Sequence, residues 1–334
     1  MWLWKTEYKQ GSYCNKDYKQ IDDTTFLLAI SRTLSLGGLM FEVIKQNENF
    51  RCIIFMVVAM AGFAVEDAVV KQLSFSMPIS EILFLVGSGG LLSFGLLAKL
   101  HNVPLCNAEL KTKKFIVRTF SELAAAIFFV STIVYASLSI SAAILQATPL
   151  VVALAGACFL RQRITLGQWG LIFLGFFGVL LVMQPGLEGF QATSLLGVMA
   201  VLFLAMRDTI TRSISHAIPA VTISFWSFFA LCVAGLITAP FFGSFVMVTS
   251  ADLWVLSLGT FAGSVGYLAV VLATRSGDVA VVVPFRYTRL IFAFIIAIII
   301  FDEPVGKLML AGSAVIIASG LLMLGLERTR LSPD

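Results

Sequence analysis

Ten apolar windows of about 20 residues each, enough to cross a hydrocarbon core of about 30 Å, occupy most of this 334-residue chain. Only 13% of the residues are charged, against about 25% in a typical soluble domain. A cytosolic enzyme, a nucleic-acid-binding protein and a disordered protein are therefore excluded. We predict an all-α integral membrane protein that is embedded in the lipid bilayer. The predicted spans are 53–71, 80–98, 118–138, 141–160, 167–184, 194–212, 219–240, 253–275, 279–300 and 309–326.

The first 52 residues differ from the rest and form an amino-terminal extension, cytoplasmic or interfacial. Residues 26–44 are partly apolar, but Arg32 near their centre costs about 2.5–3.5 kcal/mol on insertion scales. We therefore predict an interfacial helix there, or an early start codon, in preference to an eleventh span. A signal peptide is not expected, because the first strong apolar segment begins only at residue 53.

Cysteine and histidine are too few and too scattered for metal or redox chemistry. The five cysteines form no Cys-x-x-Cys pair, and both histidines, His101 and His216, lie in polar connections. No motif of a metalloprotease, a serine hydrolase or a phosphate-binding loop is present. We expect no metal, no cofactor and no enzymatic activity.

The distribution of lysine and arginine predicts the orientation. With the amino terminus in the cytoplasm, seven of the 23 cations lie in the tail, eleven in inner connections and the carboxyl end, and three within spans. Only two, Lys71 and Lys307, lie in outer connections. By the positive-inside rule, both termini are predicted in the cytoplasm of a multi-pass inner-membrane protein.

The two halves of the chain align at a fixed offset of 141 residues. Asp67 in FAVEDAVVKQLS pairs with Asp208 in LAMRDTITRSIS, and Phe84 pairs with Phe225. Five spans per half is an odd number, so the second half enters the membrane upside down. We predict ten transmembrane helices in two inverted repeats, 53–186 and 194–328. Inverted repeats are the architecture from which alternating access is built.

Two segments resemble the EamA-type transporters of the drug/metabolite transporter superfamily. They are QATPLVVALAGACFLRQRITLGQW in the first half and VVVPFRYTRLIFAFIIAIIIFDEPVGKLMLAGSAVIIASGLLML in the second. The resemblance covers roughly 53–328 and implies a transporter of small molecules. In this family an acidic residue commonly follows the fourth helix of each half. Glu303 fits that pattern, whereas the first half has Gln162.

Polar residues inside spans are expensive and are candidates for the transport pathway. Each has a structural alternative. Glu122 lies one turn from Arg118, so the two could simply form an ion pair at the inner interface. Arg207 and Asp208 are neighbours whose side chains should diverge by about 100° around the helix, which points at least one of them into the bundle. The candidates in spans 1, 3 and 6 are Glu66, Asp67, Glu122, Arg207 and Asp208.

The strongest group lies in span 9, where Arg286, Tyr287 and Arg289 follow Pro284. Arginine is a natural donor to carboxylate or phosphate, and the alternative is a charge pair with Asp208 or Glu122 that only locks helices together. Gln146 corresponds to Tyr287 in the repeat and is a further lining candidate. We expect Glu122, Asp208 and Arg286 to form an inner gate, with Arg289 deeper and in contact with substrate.

These observations favour a secondary transporter over an intramembrane enzyme, a channel or a non-transporting helical membrane protein. The expected partners are a small-molecule substrate and a proton or an exchanged solute as the driving force, with no nucleic acid. The mixed charges favour a small zwitterionic or polar aromatic metabolite. The resemblance leans towards importers of metabolites such as S-adenosylmethionine or riboflavin, with amino-acid or drug exporters as the alternative. Trp226 and Tyr267 could stack on a planar substrate or anchor the chain at the interface.

Overall fold

The computed structural model describes residues 48–106, 108–160, 165–184, 191–211, 214, 218–243, 245–276 and 282–331. The predicted interfacial segment 26–44 and the position of Gln162 lie outside these residues.

Within the described residues the chain is entirely helical. The α-helices are α1 (Glu48–Leu73), α2 (Ile79–Leu100), α3 (Lys113–Tyr135), α4 (Leu138–Leu145), α5 (Thr148–Leu160), α6 (Leu166–Met183), α7 (Ser194–Thr211), α8 (Ala220–Phe242), α9 (Ser250–Ser276), α10 (Thr288–Phe301) and α11 (Lys307–Leu331). Two 3-10 segments accompany them, Ala108–Lys111 in the long connection and Val283–Tyr287 immediately before α10.

Nine helical segments of the described chain are long and apolar enough to cross a membrane. The helix for the predicted tenth span has a shorter apolar part, Lys307–Met323, and continues as a more polar helix to Leu331. All ten predicted spans coincide with helical segments, with ends that differ by a few residues. The largest difference is at α1, which begins at Glu48 and therefore includes residues that the sequence assigned to the extension.

Two of the predicted spans are not continuous α-helices, which corrects the sequence-based picture. The fourth span breaks between α4 and α5, where the amides of Gln146 and Ala147 reach back only three residues, to Ala143 and Ile144. Pro149 has no N–H to give to the carbonyl of Leu145, and the hydroxyl of Thr148 donates to that oxygen instead, at 2.6 Å.

The ninth span is broken at the corresponding place. It starts as the 3-10 segment Val283–Tyr287, which contains Pro284, and becomes α-helical only at Thr288. Tyr287 stands at this junction and Gln146 at the first one, 141 residues earlier. The two repeats therefore interrupt the same helix at the same position.

Helix packing has the symmetry of the two repeats. In the repeat, α1 corresponds to α7 and α9 corresponds to α3, so the contact of α1 with α9 is equivalent to that of α7 with α3, and both contacts are extensive. The pairs α2–α8 and α6–α11 each map onto themselves, and both are extensive too. This is the packing expected of two repeats related by a pseudo-two-fold axis.

Glycines allow the helices of the pairs α6–α11 and α2–α8 to approach closely. A Cβ added to Gly178 on α6 would lie 2.8 Å from the carbonyl oxygen of Gly312 on α11, and a Cβ added to Gly312 would lie 2.6 Å from that of Gly178. Between α2 and α8, a Cβ on Gly87 would meet the backbone of Cys232. Such close backbone contact is typical of helix packing in membranes.

Candidate functional site

The two helix breaks place unpaired polar groups in the protein interior. Gln146 is 7% exposed and Tyr287 is 5% exposed. Among the described residues, neither the Gln146 Nε2 amide nor the Tyr287 hydroxyl has a hydrogen-bond partner. Buried polar groups are normally paired, so these two unpaired groups make the region between the breaks a candidate site. Interrupted helices in corresponding positions of two repeats are the usual sign of a transporter's substrate site.

Two residues after the second break at Tyr287, Arg289 on α10 binds Asp67 on α1. The guanidinium donates from Nε to Oδ2 at 3.1 Å and from Nη2 to Oδ1 at 2.8 Å. The Asp67 side chain is only 5% exposed and that of Arg289 17%. The two halves of the chain are thus joined by a forked, partly buried ion pair. This partner of Arg289 is neither of the two acids considered from the sequence.

Two aromatic rings flank the same guanidinium. Its central carbon lies 5.3 Å from the ring centroid of Phe63 on α1 and 5.5 Å from that of Phe129 on α3. Both distances allow a cation–π attraction. The sequence did not single out either phenylalanine among its 29, because neither has a motif around it. Their position on helices that meet α10 is what distinguishes them.

Glu66, next to Asp67, points towards α9. A Cβ added to Gly263 would lie 2.5–2.6 Å from all three atoms of the Glu66 carboxyl group. The absence of a side chain at position 263 therefore makes the space that this carboxyl group occupies.

A second polar cluster, which we call the inner network, is centred on Glu122 of α3. Its carboxylate accepts from Arg118 Nη2 at 2.9 Å, from Arg207 Nη1 on α7 at 2.8 Å and from Ser227 Oγ on α8 at 3.2 Å. Tyr267 on α9 adds a hydrogen bond to Ser227 at 3.2 Å. The network therefore joins four helices, and Ser227 is a member that the sequence did not suggest.

The structure corrects the expectation for Arg207 and Asp208. Their side chains do not diverge: Arg207 donates from Nε to Asp208 Oδ1 at 2.9 Å while its Nη1 reaches Glu122. The long arginine side chain folds back over its neighbour and links both acids. Of the three residues expected at an inner gate, Glu122 and Asp208 thus share one cation. Arg286 lies in the 3-10 segment, which packs on α1, α10 and α11, and takes no part in the ion pairs found around Glu122.

Glu303 lies at a different place in the molecule and has capping contacts. Its carboxylate accepts from the backbone amides of Leu138 and Ser139 and from the Ser139 hydroxyl, at 2.9–3.0 Å. These are free amides of the first turn of α4, where a negative charge is stabilising. Trp226 also has a structural contact, since its indole donates to the carbonyl of Leu105 at 3.0 Å.

A family model described as the EamA-like transporter family matches residues 50–184 and again residues 191–325. The chain belongs to this family. Both ends of the second match lie 141 residues after those of the first, the same offset that aligns Asp67 with Asp208. The family is one of transporters, and together with the nine apolar helical segments of the described chain this makes it a multi-pass membrane protein.

Curated relatives include an uptake transporter, a riboflavin transporter and an exporter. An S-adenosylmethionine uptake transporter of Rickettsia bellii is 27% identical over 187 residues, which cover 55% of this chain and 62% of that protein. A riboflavin transporter of Rhizobium johnstonii is 27% identical over 191 residues, 56% of this chain and 62% of that protein. The pseudopaline exporter CntI of Pseudomonas aeruginosa strain UCBPP-PA14 is 25% identical over 286 residues, 83% of this chain and 96% of that protein.

The matches to the S-adenosylmethionine and riboflavin transporters span less than two thirds of the length of those proteins. Among solved structures, one crystal structure aligns with a TM-score of 0.60 at 13% identity, covering 84% of this chain and 98% of that chain. At that identity the likeness concerns the fold alone.

Proposed function

We propose that this EamA-like protein is a secondary transporter that imports a small, polar, zwitterionic metabolite by alternating access. It acts in the inner membrane with both termini in the cytoplasm, as the positive-inside rule predicts. The observation that carries the proposal is the pair of helix breaks at Gln146 and Tyr287, beside the ion pair of Arg289 and Asp67. No catalytic step is needed for this activity.

The chemistry around Arg289 supports a substrate with both a carboxylate and a cationic group. A substrate carboxylate can replace Asp67 on the guanidinium fork, which releases Asp67 to bind the substrate's cation. Phe63 and Phe129 offer faces to a planar or cationic group. S-adenosylmethionine has a carboxylate, an ammonium, a sulfonium and a purine, so it uses every part of this site. Riboflavin is uncharged and leaves the ion pair unused.

Export is the second candidate, because the exporter CntI matches a larger part of the chain than the S-adenosylmethionine and riboflavin transporters do. The direction is tested with labelled S-adenosylmethionine in cells that express the protein and in inverted vesicles from the same cells. Saturable uptake into intact cells supports import. Saturable uptake confined to inverted vesicles supports export.

The binding role of Arg289 is tested in proteoliposomes. Arg289→Gln removes a charged hydrogen bond of about 1.5–3 kcal/mol, which raises the half-saturating concentration of S-adenosylmethionine about tenfold to a hundredfold. Arg289→Lys keeps the charge without the fork and serves as the matched control, with an intermediate effect. A folded Arg289→Gln protein with unchanged half-saturation contradicts this site.

Asp208→Asn separates binding from the conformational step. Asp208 shares Arg207 with Glu122 in the inner network and is not part of the ion pair of Arg289 with Asp67. We therefore expect its loss to lower the maximal rate and to leave half-saturation unchanged. A change in half-saturation alone would place Asp208 at the substrate site instead.

A further inference from the structure

Two clusters of charge lie within the described spans, and only one of them is balanced. The inner network has two arginines, Arg118 and Arg207, against two acids, Glu122 and Asp208. The cluster formed by the ion pair of Arg289 with Asp67 and the neighbouring Glu66 has one cation and two adjacent acids. With all groups ionised, that cluster has one uncompensated negative charge inside the membrane, where charge is costly.

We propose that Glu66 is a proton-binding site of this transporter and that the proton it binds drives transport. The inference rests on the proposed function, in that it supplies the energy source for the same transporter. Asp67 is held by Arg289, so Glu66 is the acid of the pair that is free to take a proton.

The surroundings of Glu66 leave its carboxyl group without a direct partner. It forms no hydrogen bond or ion pair with any residue that the structure describes, it is only partly buried, and it faces the bare backbone at Gly263. Charged or titratable groups on the elements packed around this part of α1 are Asp67, Lys71, Arg118, Glu122, Tyr267, Arg286, Tyr287 and Arg289.

These neighbours are engaged with other groups. Arg289 binds Asp67, Arg118 binds Glu122, Tyr267 donates to Ser227, and Lys71 donates to the carbonyl of Ile133 at 2.9 Å. Arg286 has an interaction of its own. The Tyr287 hydroxyl lies against Gly320 on α11.

The repeat shows that this arrangement occurs at only one of two equivalent helix contacts. At the offset of 141, Glu66 corresponds to Arg207 and Gly263 corresponds to Glu122. At the contact of α3 with α7, these positions form a partly buried ion pair at 2.8 Å. At the equivalent contact of α1 with α9, they hold an acid and a glycine. One contact therefore contains a fixed ion pair, and the other contains a single carboxyl group that fills the space left by the glycine.

A proton fits this site better than a metal ion does. Hard cations require about six or more oxygen ligands, and the described residues contain no group of three or more acidic, histidine or cysteine side chains that could hold a metal. In the proposed step, hydronium in the pathway water gives its proton to a carboxylate oxygen of Glu66. One O–H bond forms, one water molecule remains, and the reverse transfer occurs on the other side of the membrane.

A measurement without substrate tests the site directly. Infrared difference spectra of the purified full-length protein, recorded while the pH is raised, should show loss of the carbonyl band of a protonated carboxylic acid. That band change should be absent in Glu66→Gln and retained in Asp252→Asn, which removes an exposed acid from the outer end of α9. An unchanged band in Glu66→Gln overturns the proposal, even if S-adenosylmethionine is not the substrate.

Transport then tests the coupling. Proteoliposomes with labelled S-adenosylmethionine outside, a bath one pH unit more acidic than the interior and the membrane potential clamped at zero should accumulate the label about tenfold for one coupled proton. Glu66→Gln should lose this accumulation while still exchanging labelled for unlabelled substrate, which shows that it is folded. Asp252→Asn should accumulate normally. Tenfold accumulation by Glu66→Gln refutes the proposal.

A second variant keeps the test valid if Glu66→Gln does not fold. Gly263→Ala leaves the carboxyl group present, but the added Cβ forces it to move. The pH midpoint of the infrared band should then shift, and an unchanged midpoint counts against a site between Glu66 and Gly263.

Discussion

Removing the charge of Glu122 should strongly destabilise the protein, and removing one of its cations as well should restore much of the loss. Glu122→Gln is close to isosteric and keeps an oxygen that can accept a hydrogen bond. The substitution changes the inner network from balanced to one excess positive charge. Arg118 is left as a 2% exposed guanidinium whose Nε and Nη1 already lack partners among the described residues.

The expected size distinguishes a charge effect from a hydrogen-bond effect. Breaking a buried ion pair by removing one partner costs about 3–5 kcal/mol. An interhelical hydrogen bond in a membrane protein averages only about 0.6 kcal/mol. Because Glu122 is 7% exposed and contacts both guanidinium groups, we expect the larger value for Glu122→Gln. Glu122→Gln with Arg118→Met is neutral again and removes two unpaired donors, so it should recover at least about 2 kcal/mol.

The assay is reversible unfolding of the purified protein in mixed detergent micelles with increasing denaturing detergent, followed by circular dichroism. Glu122→Gln, Arg118→Met and the double variant are compared with the parent protein in one thermodynamic cycle. If the double variant is no more stable than Glu122→Gln alone, the excess charge is not what destabilises the single variant, and the reasoning is refuted.

Three further predictions concern topology, the amino-terminal extension and helix packing. In intact cells a membrane-impermeant maleimide should label Met247→Cys, in the outer connection between α8 and α9, but should not label the exposed native Cys106; labelled Cys106 would reverse the orientation. Deleting residues 1–45 should leave transport rates unchanged in proteoliposomes, since the repeat lies beyond them, and a correctly inserted but inactive truncation would show that the extension has a role. Gly312→Val should lower stability by about 1–3 kcal/mol through overpacking against α6, whereas Gly325→Val, where an added Cβ meets no atom within 4 Å, should have little effect in the same unfolding assay.

The positions of the spans and the offset of the repeat could be predicted because they depend on hydropathy alone. Every membrane-crossing segment must be apolar, whatever it packs against, so ten windows and the alignment of Asp67 with Asp208 were visible in one sequence. The ends of helices are less constrained, as α1 illustrates by starting at Glu48.

The breaks in the fourth and ninth spans were not predicted, although Pro149 and Pro284 were visible. Proline is tolerated in membrane helices when other groups satisfy the freed carbonyl. Hydropathy does not report whether that happens by a local kink or by a complete break. At the first break, the Thr148 hydroxyl donates a hydrogen bond to the carbonyl of Leu145, and this bond depends on the backbone geometry.

Charge partners could not be predicted either, because pairing depends on which helices touch. The sequence identified Arg289 and Asp67 as separate candidates, 222 positions apart, without joining them. It considered Glu122 and Arg118 as a pair because they are one turn apart, and the structure contains that bond. Local spacing thus predicts pairs within a helix, whereas Gly263 becomes meaningful only once α9 is seen to face Glu66.

The two equivalent helix contacts, which we call seams, are those of α3 with α7 and of α1 with α9. They are held together by different interactions. Between α3 and α7, the contact includes the partly buried pair of Glu122 and Arg207, so separating these helices must part opposite charges or give each a new partner. Between α1 and α9, a Cβ added to Gly62 or Gly266 would lie 2.6–3.1 Å from a backbone carbonyl of the facing helix, so that seam is held by close backbone packing. At the two positions equivalent to Arg207 and Glu122, this contact has Glu66 and Gly263. If Glu66 binds a proton as we propose, opening the contact of α3 with α7 in an alternating-access cycle depends on fixed charges, whereas opening the contact of α1 with α9 depends on the charge state of Glu66. An inverted repeat can therefore be symmetric in its fold and directional in its energetics.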